Sequence, residues 1–236
     1  MLEKLPLYIS IVFGLTTVFT LLLFFWTIKK SNSQLVKQNA VKILIGLILW
    51  LVIQAVLTLQ NVYSDHIDLF PPTILIFGIL PALLAIMGLF LAENGRQFID
   101  SLPLVNVTFL NIIRIPVELV LFWLFLNEAL PELMTFEGSN FDIFAGISAP
   151  LIAYALTRGS ISRKVVLIWN FICLALLINI VAIAFLSAPS PVQQFAFEQP
   201  NIAILHFPFS WLPTFIVPVV LFGHLTSIRQ LLKYRD

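Results

Sequence analysis

Apolar runs about as long as a bilayer is thick recur along this chain, at about 6–28, 41–60, 73–91, 103–127, 143–157, 165–187 and 209–228. A hydrocarbon core about 30 Å thick is crossed by roughly 20 apolar residues, each adding about 1.5 Å of helix rise. Lipid offers the backbone no hydrogen-bond partners, so segments of this kind fold as helices. The expected fold is an all-α, polytopic membrane helical bundle of about seven transmembrane helices, forming one transmembrane domain over residues 1–236 with the lipid bilayer as its solvent. Composition agrees, because 60% of the residues are hydrophobic and only 11% are charged, against roughly 25% charged in soluble domains. The fifth run is the weakest as a span. It is short and carries Gly146 and Pro150, which suits a tilted, thinned or partly re-entrant segment. The first run is longer than the apolar core of a signal peptide and ends in Trp26, Lys29 and Lys30, so it reads as a retained helix.

Charge sets the expected orientation. Lys29, Lys30, Lys37 and Lys42 follow the first run, Arg96 the third, and Arg158, Arg163 and Lys164 the fifth, while Arg229, Lys233 and Arg235 lie at the C-terminus. The other connections contain no lysine or arginine, only Lys4 falls opposite, and Arg114 is inside a span. Under the positive-inside rule this places the N-terminus outside and the C-terminus in the cytoplasm, and an even number of spans spoils the alternation. A bacterial cytoplasmic (inner) membrane is the expected location. Glu3, Asp65, Asp68, Glu128, Glu132, Glu137, Asp142 and Glu198 make the outer side acidic. Retention of basic residues inside explains that more simply than a surface built to attract cations. Trp26, Trp123, Trp169 and Trp211 fall near span ends, where an indole N–H can stay wet, and Trp50 lies deeper.

Phe70–Pro71 precedes the third run with Pro81 ten residues beyond Pro71, and Phe207–Pro208 precedes the seventh with Pro218 ten beyond Pro208. The spacing raises a 3+1+3 repeat, as in small sugar transporters of parallel-repeat topology. Their Pro–Gln pairs are absent, and with 22 Phe and 14 Pro in the chain coincidence is the stronger explanation.

Within the fourth run, Arg114-Ile-Pro-Val-Glu118 puts two charges at bilayer depth, where each costs about 2.5–3.5 kcal/mol on insertion scales and therefore faces a protein interior or a wet cavity. Four residues apart, the two can neutralise each other on one helical face. Pro116 removes the donor to the Ile112 carbonyl and predicts a kink beside them. Counting rise per residue, Arg114, Asn170 and His224 fall about 20–24 Å below the outer boundary, with Glu118 and Tyr154 somewhat higher. If those faces converge, they form a polar pocket extended by Asn111, Ser148, Thr226 and Ser227. Gln54, Asn179, Thr16 and Thr20 read as interhelical hydrogen bonders.

A second candidate lies in the outer loops, where Asp65, His66, Asp68 and His206 offer ligands for a divalent metal such as zinc. No His-x-x-x-His spacing supports it, and solvated loop residues are the simpler reading. Residues 134–142 read as a turn through Gly138 and Asn140, with Asp142 capping the fifth helix. A lone cysteine, Cys173, excludes an intrachain disulfide. The seventh run has no lysine for a retinal Schiff base, and there is neither a P-loop nor a Gly-x-Ser-x-Gly elbow. No cofactor is otherwise implied, nucleic acid is not an expected partner, and the oligomeric state is left open.

The first functional expectation is a small permease or lipophilic-ligand-binding protein with an intrabundle site, in which Arg114 binds an anionic group and Glu118 is counter-ion or proton acceptor. The alternatives are a membrane-embedded, metal-dependent hydrolase or transferase acting on lipid, and a structural or accessory membrane subunit. An enzyme is the less favoured class.

Overall fold

The computed structural model describes residues 5–233; Glu3, Lys4 and Arg235, used above in the charge argument, lie outside them. The described residues form helices and no strands. The helices are α1 (Leu7–Lys29), α2 (Gln34–Leu59), α3 (Leu75–Leu91), α4 (Glu93–Ser101), α5 (Leu104–Leu126), α6 (Asp142–Thr157), α7 (Arg163–Ser187) and α8 (Leu212–Lys233). Five of these (α1, α2, α5, α7 and α8) are long and apolar enough to cross a membrane, and α3 with α4 makes a sixth if that bent pair is one span. The shorter α6 is also apolar. The fold is thus all-helical and compatible with membrane integration.

Most of these helices are apolar on every side, as lipid-facing helices are. Their burial separates centre from periphery: 67% of the apolar window of α8 and 50% of that of α5 are buried, against 17% for α2. Ile113, Val117 and Val120 on α5 share the core with Phe13, Leu21 and Phe24 on α1 and with Phe215, Val219 and Phe222 on α8.

The helix α2 begins at Gln34 rather than near residue 41, because Lys37, Gln38, Asn39 and Lys42 extend it as a polar turn that hydropathy overlooks. For the same reason α8 runs on to Lys233. The sequence reading missed α4 altogether. It meets α3 at 92° and carries Glu93, Arg96, Gln97 and Asp100 on one side, while Ile99 is buried. That i, i+3, i+4, i+7 polar pattern was available in the sequence.

At one end of the bundle, α4 joins α8 and the α1–α2 connection, and α7 joins α8. Asp100 takes Arg229 at 2.9 and 3.0 Å and Lys233 at 2.7 Å, and Gln230 donates to the Ile99 and Leu102 carbonyls. Ser31 donates to Ser101 Oγ at 2.8 Å, the Asn32 amide donates to the Ser101 carbonyl, and Arg163 donates to the Gln230 carbonyl. Except for Arg114, the described lysines and arginines belong to this end. The opposite end is knitted by Gln199, which donates to the Phe125 and Leu130 carbonyls, by the Ala203 amide on the Ala129 carbonyl, and by Thr58 against Ser210. Asp65, Asp68, Glu128, Glu132, Glu137 and Glu198 are exposed there.

Both α3 and α8 open with a π-helical turn, Leu75–Ile79 and Leu212–Ile216, each preceded by a cis X-Pro bond. Proline supplies the physical reason for the turn. Pro81 cannot donate to the Phe77 carbonyl, nor Pro218 to that of Thr214, so in both helices the carbonyl four residues earlier loses its partner. Side chains of α2 replace the lost donors: Gln54 Nε2 reaches Phe77 O at 3.1 Å, and Trp50 Nε1 reaches Thr214 O at 2.9 Å. Gly78 permits the approach of α3 to α8, because a Cβ there would collide with Thr214 Cγ2. The Trp211 and Trp169 indoles, expected to stay wet, instead donate to the Leu51 carbonyl and to Ser148 Oγ. Of the expected interhelical bonders, Gln54 and Asn179 reach other segments, whereas Thr16 and Thr20 donate back into α1.

Candidate functional site

Arg114 lies where α5 leaves a 3₁₀ turn, Leu110–Ile113, just before Pro116. The helix tightens there, because Pro116 has no N–H to give the Ile112 carbonyl. Arg114 is 3% exposed, and its guanidinium is held by other elements of the bundle. Nη1 pairs with Asp142 Oδ1 at 2.8 Å and lies 3.5 Å from the Cys173 carbonyl, while Nη2 is 2.9 Å from His224 Nε2. His224 Nδ1 is 2.9 Å from Asn170 Oδ1. A guanidinium only donates, so His224 Nε2 accepts; its proton is then on Nδ1, donated to Asn170, and the ring is neutral. The Asn170 amide agrees, because its Nδ2 donates to the Val166 carbonyl and turns Oδ1 to the ring.

The levels estimated from helix rise therefore meet in space: Arg114, His224 and Asn170 form one buried chain. The expected Arg114–Glu118 pair does not form. Instead Arg114 takes Asp142, which is the first residue of α6 rather than its cap. Gly146 makes this reach feasible, since a Cβ there would lie 2.9 Å from Ile115 Cγ1 and 3.2 Å from Arg114 Cβ. Glu118 turns to Asn140, whose Nδ2 lies 2.7 Å from both Oε1 and Oε2 and 3.0 Å from the Met134 carbonyl. Asn140 Oδ1 accepts from the Asp142 amide at 3.1 Å. The residue read as part of a turn thus connects the two carboxylates. It was missed because its role depends on a loop folding back onto α5, which no periodicity reports.

Two other expected members are placed differently. Tyr154 is 60% exposed and bonded to Arg158, on the outer side of α6. Asn111 is buried beside the site, but its Nδ2 donates to the Thr108 carbonyl and its Oδ1 has no protein partner. Thr226 and Ser227 are also buried with unpartnered hydroxyls, whereas Ser148 accepts from Trp169. Asp65, His66 and Asp68 are exposed and His206 is half-buried. Among the described residues, no three or more His, Cys, Asp or Glu side chains gather as a metal-binding group.

A cavity of about 530 Å³ adjoins the two carboxylates. Its walls are apolar, with Leu83 on α3, Leu177 and Val181 on α7, and Leu212 and Leu221 on α8 among them, and Glu118 and Asp142 lie at its polar edge. Tyr63, His66 and Pro189 line it at the acidic end. Leu83, Ile178 and Val181, which line it, are exposed, so the cavity is not sealed by the bundle. Its size and apolar lining with few polar groups are those of small-molecule sites.

No curated protein and no solved structure matches the chain. The family model described as Domain of unknown function (DUF8737) matches residues 71–232, more than half of the chain, and the chain belongs to that family.

Proposed function

We propose that this protein is a small permease or lipophilic-ligand-binding protein that holds its ligand inside the bundle. The observation that carries the reading is the apolar cavity of about 530 Å³ edged by Glu118 and Asp142. Charged side chains at bilayer depth are expensive and usually serve a pathway or a site. Arg114 has a different part from the one expected of it: with Asp142, His224 and the Cys173 carbonyl around its Nη atoms, it braces the cavity edge, and only its buried Nε has no partner. Glu118 is the polar group offered to a ligand.

The same reading takes the chain as seven spans, α1, α2, α3, α5, α6, α7 and α8, in a bacterial inner membrane with the basic end in the cytoplasm. Charge bias supports that orientation. The matching proline-broken entries of α3 and α8 support a 3+1+3 repeat, an arrangement common among transporters.

Filling the cavity tests the proposal. Ala188 lines it and is 8% exposed. Ala188→Trp is expected to weaken binding of the neutral fluorophore N-phenyl-1-naphthylamine by at least about tenfold while the protein still elutes as a folded species. Unchanged binding would refute the cavity as the site. Flux of the bound compound into proteoliposomes then distinguishes a permease from a binding protein.

A further inference from the structure

We infer that the cavity is built for an amphiphile with a protonated amine head, seated against Glu118 with its tail among the apolar walls. This rests on the cavity being a ligand site, as proposed above, and adds the chemical class of the ligand.

Glu118 is 2% exposed, lines the cavity, and has no ion-pair partner among the described residues. An ionised carboxylate has about four acceptor positions. Here one amide group, Asn140 Nδ2, serves both oxygens and also faces the Met134 carbonyl. Two N–H bonds are shared among three acceptors, so at least two acceptor positions of Glu118 are left for another donor. Arg114 makes no ion pair with Glu118: its Nη1 serves Asp142 and the Cys173 carbonyl and its Nη2 serves His224, while its buried Nε has no partner. The cavity edge therefore presents two carboxylates against one engaged cation. A buried carboxylate is tolerated when a cation pairs with it, and an ammonium group brings three donors as well as the charge.

Two observations away from Glu118 select the same ligand. The exposed acids of the loops at the cavity's acidic end, Asp65, Asp68, Glu128, Glu132, Glu137 and Glu198, have no lysine or arginine among them in the described residues. A surface of one sign raises the local concentration of the opposite one. The walls are apolar and are left unsealed at the exposed Leu83, Ile178 and Val181, which suits a tail arriving from the bilayer. A fatty acid would set a second anion against Glu118. A fatty alcohol would satisfy one acceptor position without charge.

The test uses the purified full chain in maltoside micelles at pH 7.5, with dodecylamine, dodecanol and dodecanoate each displacing N-phenyl-1-naphthylamine. Dodecylamine is expected to displace the probe at a concentration at least about tenfold below dodecanol, with dodecanoate weakest. Glu118→Gln is expected to reduce the amine's advantage over the alcohol to about threefold or less, its thermal unfolding midpoint serving as the check on folding. If the three amphiphiles displace alike, or if the amine keeps its advantage in Glu118→Gln, the amine assignment is overturned while the cavity stands. If the probe binds and Ala188→Trp does not affect it, the cavity reading fails, and this inference with it. The three-amphiphile comparison needs no variant, so it decides even if Glu118→Gln folds poorly.

Discussion

Replacing Arg114 with Met removes one partner of an ion pair whose side chains are only 4% and 7% exposed. A buried charge stripped of its counter-charge costs about 3–5 kcal/mol, and here that charge is Asp142. His224 Nε2 loses its donor as well, which adds about 1–3 kcal/mol for an unsatisfied buried acceptor. Asp142→Leu alone leaves Arg114 uncompensated, at about 3–5 kcal/mol. Combining them removes both charges, so only the His224 loss of about 1–3 kcal/mol is left, and the singles are strongly non-additive. The double variant is expected to recover at least about 3 kcal/mol relative to Arg114→Met. At about 2–4 °C per kcal/mol for a chain of this size, the double variant should melt at least about 6 °C above Arg114→Met. Intrinsic tryptophan fluorescence during thermal unfolding in maltoside is a suitable readout, since the Trp169 ring lies 6.0 Å from that of His224. The control is Arg114→Met with Glu118→Leu, the pair suggested by sequence spacing, which should give no comparable rescue. Additive effects for Arg114 and Asp142, or rescue by Glu118→Leu, would refute the assignment of partners.

Three further outcomes follow from the fold. Gln54→Leu strands both the Phe77 carbonyl and the Tyr63 hydroxyl, which now bonds Gln54 Oε1 at 2.6 Å; it should cost about 1–3 kcal/mol, and less in a Pro81→Ala background that returns an N–H to Phe77. Thermal unfolding of the two single variants and the double reads that difference, and equal costs in both backgrounds would count against the proline account. Burial pushes the Asp100 carboxyl up, but hydrogen bonds and charge from Arg229 and Lys233 outweigh it and hold the group below the usual carboxylate value. A depressed folded value means that its contribution is present above about pH 4 and lost as pH falls through the folded value, so a pH series of unfolding midpoints should fall less steeply on the acid side in Asp100→Asn than in the parent. For topology, in a Cys173→Ser background, Glu137→Cys should react with an impermeant maleimide in intact cells and Arg158→Cys only after lysis; the reverse pattern would overturn the orientation.

Sequence alone carried part of this architecture and one side of its site. Apolar length and the one-sided lysines and arginines mark where helices lie and which ends belong together, because both are summed over many residues. Helix rise put Arg114, Asn170 and His224 at one level, and His224 bonds both of the others. Rotational phase is a different quantity, and Tyr154, estimated to lie somewhat higher, faces outward. Asp142 and Asn140 escaped as site residues since their roles come from a loop returning over α5, across 28 and 22 residues of chain. The paired prolines at 81 and 218 were visible as a spacing. Their effect became plain only with Gln54 and Trp50 beside the carbonyls they free.

The right-angled bend after α3 gives the basic end of the bundle a latch. Residues 99 to 102 receive the last turns of α8 through Arg229, Gln230 and Lys233, and the α1–α2 connection through Ser31 and Asn32. Those bonds tie that end together, whereas the cavity is lined by Tyr63, His66 and Pro189 toward the acidic end. A protein that only stores or senses its ligand can keep the latch closed throughout its life. One that delivers cargo to the cytoplasm has to release it on every cycle, so cross-linking α4 to α8 would stop flux and spare binding.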